Sequence, residues 1–300
     1  MKILVLGATG YAGFHISRAL RQDGHTVRGL TRDATSNRAR ELLVEEVRPV
    51  EGLMSDPETY RAALEDADAV VCAALDMSDP LGSDRLLFRT LREVQARTGR
   101  SRHLVFTTGI TFLTTTGDVW DERTPADPGN PLHLRAQAEQ DLADSGLPHT
   151  VLRPTFIYGG SGRTSKSAQW FAAARTGEPV FYGDSTKRYT WVHVDDLAAA
   201  YVAVLRRPDA FDGEVFMLGD EHQPTLLDVQ RACLNAAGYT GDIVFQSAEE
   251  GGMLESCADR DELVDSTKAR TLLGWQPRHP GILEDTLTYY AAWDRAQSPN

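Results

Sequence analysis

Residues 1–13, Met1-Lys2-Ile3-Leu4-Val5-Leu6-Gly7-Ala8-Thr9-Gly10-Tyr11-Ala12-Gly13, decide the reading of the whole chain. The apolar run at 3–6 has the length of a buried strand and stops at Gly7. Glycine at 7 lets the chain turn sharply out of that strand. Glycine at 10 lets a backbone approach a pyrophosphate, and glycine at 13 lets the next helix pack tightly on a sheet. Phe14, Ile16 and Leu20 then fall on one side of a helix, whose first N–H groups can meet an anion. The spacing is GxxGxxG, not the commoner GxGxxG. Gly7, Thr9, Gly10, Tyr11, Ala12 and Gly13 are therefore candidates for holding a dinucleotide; a strand–helix turn without a ligand is the alternative.

The composition fits a soluble enzyme. A chain of 300 residues, 41% hydrophobic and 25% charged, can bury a large core and hold more than one domain. No apolar run is long enough to span a membrane, and the first one is too short for a signal peptide. Cys72, Cys233 and Cys257 stand far apart, in no metal-binding spacing. Free thiols in a reducing cytoplasm, and no metal site, are expected. A net charge of −12 argues against a nucleic-acid partner.

Beyond the opening turn, strands are expected at 25–31, 47–50, 69–74, 103–107 and 149–152, with helices at 57–64, 81–98 and 131–145. This alternation predicts an α/β fold, a Rossmann-type doubly wound parallel sheet with ligands at the strands' C-terminal ends. The later chain is more mixed: a helix at 195–205, a strand at 214–218 and a helix at 226–237. Residues 1–156, joined by roughly 190–220, read as the dinucleotide-binding domain; 157–189 and 221–300 read as a smaller C-terminal substrate domain. Ser298-Pro299-Asn300 is expected to fray.

The second strand bears on the cofactor. An acid at its end bonds the 2′-hydroxyl of NAD, whereas a cation accommodates the 2′-phosphate of NADP. Here the strand ends Leu30-Thr31-Arg32, without an acid. A guanidinium holds phosphate bidentately, so NADP(H) is expected at Arg32, with NAD(H) the alternative. A surface arginine neutralised by Asp33 is the competing reading.

Three further motifs follow the glycine turn in order: Arg153-Pro154-Thr155-Phe156-Ile157-Tyr158-Gly159, Trp191-Val192-His193-Val194-Asp195-Asp196-Leu197-Ala198, and TKARTLLGW at 267–275 followed by Pro277. With them the chain resembles, from end to end, the extended short-chain dehydrogenase/reductases, the NAD-dependent epimerase/dehydratase family. The resemblance implies a Rossmann sheet with a small C-terminal substrate domain. It also implies oxidation, reduction, epimerisation or dehydration of small molecules, often sugar nucleotides. It extends the cofactor site to Ala73, Ala74, Thr107, Arg135, Pro154 and Thr155. It puts Thr108 at the catalytic Ser/Thr position and Tyr158 near the nicotinamide end, and it raises the prospect of a homodimer. Asp56 remains of an acidic adenine contact, with Leu53 where an acid is common.

The departures concern the chemistry. The family's usual Tyr-x-x-x-Lys pair belongs at the start of the helix before the sixth strand, around 130–135. The chain has no lysine between Lys2 and Lys166 and no tyrosine between Tyr60 and Tyr158. Asn130 and Pro131 suit an N-cap and first helical turn, and Glu139 lies one turn after Arg135, where the two can pair. His133 is the candidate substitute acid/base, since an imidazole titrates near neutrality without a lysine. An ordinary capped helix is the competing reading. His193 is read as structural and Asp195 as a helix N-cap. Lys187 and Arg188 lie where relatives hold substrate phosphates, but Tyr189 stands at the usual arginine position. Phe112, Trp120, Trp170, Phe171, Tyr182 and Trp191 suit an apolar or polycyclic substrate, or simply core.

Three functions remain open. One is an NADP(H)-dependent reductase or epimerase with a substitute acid among Thr108, His133 and Tyr158. The second is a redox-neutral cyclase, isomerase or dehydratase with a structural cofactor or none. The third is a non-catalytic NADP-sensing regulator.

Overall fold

The computed structural model describes residues 1–114, 119–162 and 164–297; the expectation for Ser298-Pro299-Asn300 lies outside the described residues. In chain order the first half comprises β1 (Lys2–Leu6), α1 (Tyr11–Gln22), β2 (Thr26–Thr31), α2 (Asn37–Val44), β3 (Arg48–Glu51), α3 (Arg61–Asp66), β4 (Ala69–Cys72), α4 (Pro80–Thr98), β5 (His103–Thr107), α5 (Leu134–Asp144) and β6 (His149–Pro154). The second half comprises β7 (Phe156–Tyr158), α6 (Lys166–Thr176), β8 (Val180–Tyr182), β9 (Trp191–His193), α7 (Val194–Arg206), β10 (Glu214–Leu218), α8 (Leu226–Ala236), β11 (Val244–Gln246), α9 (Met253–Cys257) and α10 (Thr286–Gln297).

Seven strands form the main sheet in the order β10-β6-β5-β4-β1-β2-β3, and every pairing within it is parallel. The continuous apolar runs of β1 and β4 are what a strand covered on both faces requires. Alternate side chains go to opposite faces. Ile3 and Val5 pack with Ile16 and Leu20 of α1 and with Tyr201 and Val204 of α7. Leu4 and Leu6 pack with Leu87 and Leu91 of α4 and Leu142 of α5. Each such fully buried aliphatic side chain contributes about 1.5–3 kcal/mol. The strand order reverses between β1 and β4, which opens a crevice at their C-terminal ends.

The expected helix at 57–64 is instead a 3-10 turn, Pro57–Thr59, followed by α3. The expected helix at 131–145 likewise begins as a 3-10 turn, Pro131–His133, before α5. The strand expected to reach residue 74 ends at Cys72. Helix α2, not among the expected elements, buries Ala39 and Leu42, and Ser36 caps it by accepting the Ala39 N–H at 3.2 Å.

The smaller unit has its own aromatic core, in which Trp170 and Phe171 of α6 pack with Trp191, Val229, Tyr289 and Trp293. The two-stranded parallel sheet β8–β11 belongs to it, and a second, β7–β9, lies between the cores, with Trp191 in this one and Val192 in the first. The segment around 269–275, expected with this unit, packs elsewhere: Ala269, Leu273 and Trp275 join the core under α1 and α7. The Trp275 indole N–H donates to the Asp196 carbonyl at 2.7 Å.

Candidate active site

Parallel strands deliver their C-terminal ends to one edge of the sheet, and the candidates lie along it. At β1, Gly7 adopts φ +82°, and a Cβ there would lie 2.6 Å from the Ala73 carbonyl oxygen. A Cβ at Gly13 would overlap the Gly7 carbonyl. The turn therefore admits only glycine at both positions, and it brings the end of β4, at Ala73 and Ala74, against the start of α1. Gly10 is the N-cap and has no side chain to close the helix end, while Thr9 and Ala12 are half-buried beside it. A backbone cradle with open N–H groups at a helix start fits a dinucleotide pyrophosphate. Tyr11, expected at the cofactor, donates its phenol to the Gly159 carbonyl at 2.7 Å.

At the end of β2 Arg32 is exposed. Asp33 does not neutralise it. The Asp33 carboxylate accepts the Thr35 N–H at 2.7 Å and the Thr35 hydroxyl at 2.6 Å. These bonds hold the Asp33 carboxyl below its usual range. Arg32 has no ion-pair partner among the described residues.

The ends of β5 and β6 meet α5 in a cluster of buried charge. Thr108 donates its hydroxyl to Glu139 Oε1 at 2.5 Å. Arg153, the penultimate residue of β6, donates Nε to the same oxygen at 3.0 Å and Nη2 to Glu139 Oε2 at 2.5 Å. Arg135 donates Nη1 to Asp84 of α4 at 2.5 Å and Nη2 to the Thr107 carbonyl at 2.8 Å. The sequence-based pairing of Arg135 with Glu139 is therefore corrected. The two residues belong to adjacent, separate ion pairs, because α4 offers Asp84 on one side of α5 and β6 offers Arg153 on the other. Arg135, expected at a cofactor ribose, has both terminal nitrogens engaged within the protein. Burial pushes the Asp84 carboxyl up to about 6 against the pull of Arg135. Thr107 turns its hydroxyl to Tyr201 of α7 at 2.6 Å, and Thr155, after Pro154, donates its own to the Leu218 carbonyl at 3.1 Å.

Several buried polar atoms around the segment after β5 have no hydrogen-bond partner among the described residues: Asp84 Oδ1, His133 Nδ1, Arg153 Nη1, Arg260 Nε and Glu262 Oε1. Glu262 is fully buried and accepts the Thr111 hydroxyl at 3.0 Å, with Arg260 Nε 3.7 Å from its free oxygen. Burial raises the Glu262 carboxyl to about 7. The sequence reading missed Arg153, Asp84 and Glu262 as site residues. The one available signal was a charged residue inside the apolar strand run at 149–154.

Tyr158 is fully buried and donates its phenol to the Pro280 carbonyl at 2.8 Å. Burial raises its pKa well above the ordinary phenol value, with the nearby Asp220 adding to the shift. This environment is that of a packing residue between β7 and the C-terminal segment. The N-cap of α7 is His193, whose Nδ1 accepts the Asp195 N–H at 3.2 Å. Asp195, expected as that cap, instead accepts His15 at 2.5 Å and Arg18 at 2.6 Å, tying α7 to α1. His193, Asp196 and His279 bring one ligand atom each within 4.8 Å. The two imidazoles, however, are stacked at 3.7 Å and 13°. Their in-plane lone pairs run side by side and do not converge on one ion.

Residues 7–208 match the family described as NAD(P)H-binding. Among curated relatives, a UDP-glucose 4-epimerase of Lactobacillus helveticus is 28% identical, over 99% of this chain and 98% of its own. An NAD(P)H azoreductase of Xenophilus azovorans is 26% identical, over 86% and 84%. The solved UDP-glucose 4-epimerase of Thermotoga maritima superposes with a TM-score of 0.83 at 20% identity, covering 99% of this chain and 100% of its own. The chain belongs to the NAD(P)H-binding family, and it has the fold of the epimerase/dehydratase branch of the extended short-chain dehydrogenase/reductases.

Proposed function

We propose that the protein is an NADP(H)-dependent enzyme of oxidoreductase or epimerase type, acting on a carbonyl or hydroxyl group of a small and largely apolar metabolite. The observation that carries the reading is the glycine cradle followed, one strand later, by Arg32, which has no ion-pair partner among the described residues. The family match supports an NAD(P) site, and the relative named as an NAD(P)H azoreductase supports a reductive direction.

When bound, the nucleotide supplies or accepts hydride; the chain's own task is to hold and orient. The open N–H groups of the first turn of α1, which the glycines at 7, 10 and 13 leave accessible, would take the pyrophosphate, and Arg32 would take the 2′-phosphate. Thr108 donates its hydroxyl hydrogen bond to Glu139, which leaves the Thr108 oxygen lone pairs to receive a substrate O–H. Glu139 is a positioning residue, fixed by the two bonds from Arg153. Arg135, locked to Asp84, holds the end of β5 through the Thr107 carbonyl. His133, with Nδ1 buried and unpartnered, exchanges the proton with the substrate oxygen in place of the absent tyrosine and lysine.

The absence of that pair also favours a redox-neutral dehydratase or isomerase. Nucleotide-stripped protein separates the two readings against a panel of aromatic ketones and aldehydes. Turnover that vanishes on stripping and returns with NADPH supports the oxidoreductase. Turnover that persists without nucleotide transfers the assignment to redox-neutral chemistry.

A further inference from the structure

The chain crosses between its two cores at residues 276–281, a stretch without regular secondary structure. Trp275 on one side is buried in the core under α1 and α7, and Ile282 on the other is buried in the aromatic core of the smaller unit. Asp196 of α7 holds the middle of this strap. Its Oδ2 accepts the His279 N–H at 3.1 Å, and its Oδ1 lies 3.0 Å from His279 Nδ1, an electrostatic contact outside hydrogen-bond geometry. The Pro280 carbonyl then accepts the phenols of Tyr158 and Tyr289, each at 2.8 Å. Against α1 and α7 the strap leaves a groove of about 550 Å³, lined in part by Arg18, Asp195, Arg206 and His279, so it is not close-packed on that side.

The His279 ring stacks on the buried ring of His193 at 3.7 Å. His193 caps α7 by accepting the Asp195 N–H at Nδ1, so that nitrogen carries a lone pair and not a proton. Protonation there would remove the cap and set a cation at a helix N-terminus, where the helix dipole opposes it. It would also charge a buried ring stacked on a second imidazole. The groups that face His193 are Asp195 and Asp196 of α7, His15 of α1, His279 of the strap, Tyr158 of β7 and Tyr289 of α10. Both carboxylates are engaged elsewhere, Asp195 by His15 and Arg18, Asp196 by the strap. Burial, and then His279, hold the His193 imidazole down at about 4 against their pull.

We propose that the strap is an acid-released latch between the two units and that the stacked His193–His279 pair is its proton sensor: docking requires a neutral His193, and a proton on its Nδ1 frees residues 276–281 from α7 and the Pro280 carbonyl from Tyr158. Released, the His193 imidazole returns to the ordinary value of ~6.5. Docking is therefore strongest above that pH and weakens as pH falls toward 4. The raised carboxyls of Asp84, Asp220 and Glu262 act in the opposite sense, favouring the folded form as pH falls, and cannot produce this loss. The latch does not depend on which reaction the cleft performs.

Amide hydrogen exchange of the full chain at pH 7 and pH 5 reads the latch, with each rate corrected for the intrinsic effect of pH and β1 as the internal reference. Between the two, the protection of residues 276–281 is expected to fall at least about tenfold relative to that of β1. His193→Asn keeps a capping acceptor but cannot take the proton, and in it the two segments are expected to change together. Strap protection that follows β1 in the wild type, or a selective loss that persists in His193→Asn, overturns the proposal. Should that variant fail to fold, nuclear magnetic resonance of the wild-type histidines decides. His193 is expected to remain neutral at pH 5.5; a ring that titrates at ~6.5 with the strap still protected overturns the latch.

Discussion

Arg153 and Glu139 are each about nine-tenths buried and meet through two charge-assisted bonds, so neither can be removed alone without stranding the other. Breaking a buried pair costs about 3–5 kcal/mol. Arg153→Met is accordingly expected to lower the unfolding free energy by that order in urea titrations, and Glu139→Gln in the same background should recover part of it. A loss within 0.5 kcal/mol would mean that the pair is solvated. His133 makes a different prediction. Half-exposed and unpartnered at Nδ1, it has little to contribute to stability. His133→Ala should leave the melting temperature within a few degrees and cut kcat by about 10²–10⁴-fold; unchanged kcat would exclude it from proton transfer. The sequence announced His133 and Thr108 by position, but not the partners of Arg135 and Glu139. Helical spacing brings those two onto one face, and only the packing of α4 and β6 on either side of α5 shows that each has a closer opposite charge.

Among the elements, the opening strand, turn and helix were legible in full, because glycine at 7 and 13 is dictated by backbone contacts local to the turn and to Ala73. Gly13→Ala is expected to force α1 off the Gly7 carbonyl. It should abolish measurable nucleotide binding and cost about 1–3 kcal/mol, the usual penalty of overpacking; retained NADPH affinity would show that the turn is not the cradle. The start of α7 was less legible. His193, not Asp195, caps it, because Asp195 is drawn off the helix end by His15 and Arg18 of α1. Such a cross-chain pull has no local signature. The small strands β7, β8, β9 and β11 have only three residues each, too few to display a period.

For the molecule as a whole, the alternating first half made the doubly wound sheet readable, whereas the return of residues 269–275 to the first core depends on contacts with α1 and α7. The assembled fold also sets a pH dependence. Glu262 is buried where the smaller unit meets the segment after β5, and its carboxyl is raised to about 7, against about 4.3 in an unfolded chain. The folded form therefore binds the proton more tightly. Its stabilising contribution is complete below pH ~4 and is lost as pH rises through about 7, a change of roughly 4 kcal/mol. Histidines act in the opposite sense. Burial lowers His103 and His193 to about 4, so their contribution is lost as pH falls from about 6.5 toward 4. Asp84 and Asp220, raised to about 6 and about 7, act in the same window, so Glu262→Gln should remove part of the decline in stability between pH 5 and pH 8 without altering the acid limb. An unchanged decline would show that Glu262 is not one of the groups responsible.

The central claim is an NADP(H) site built from the glycine cradle and Arg32, and calorimetric titration of the wild type and Arg32→Ala with NADPH and NADH tests it most directly. The expected result is a wild type that binds NADPH at least about tenfold more tightly than NADH, and a variant that loses this preference by weakening NADPH alone, as removal of a charge-assisted phosphate contact requires. Equal affinity of the wild type for both nucleotides, equal losses of both in the variant, or binding of neither would contradict it.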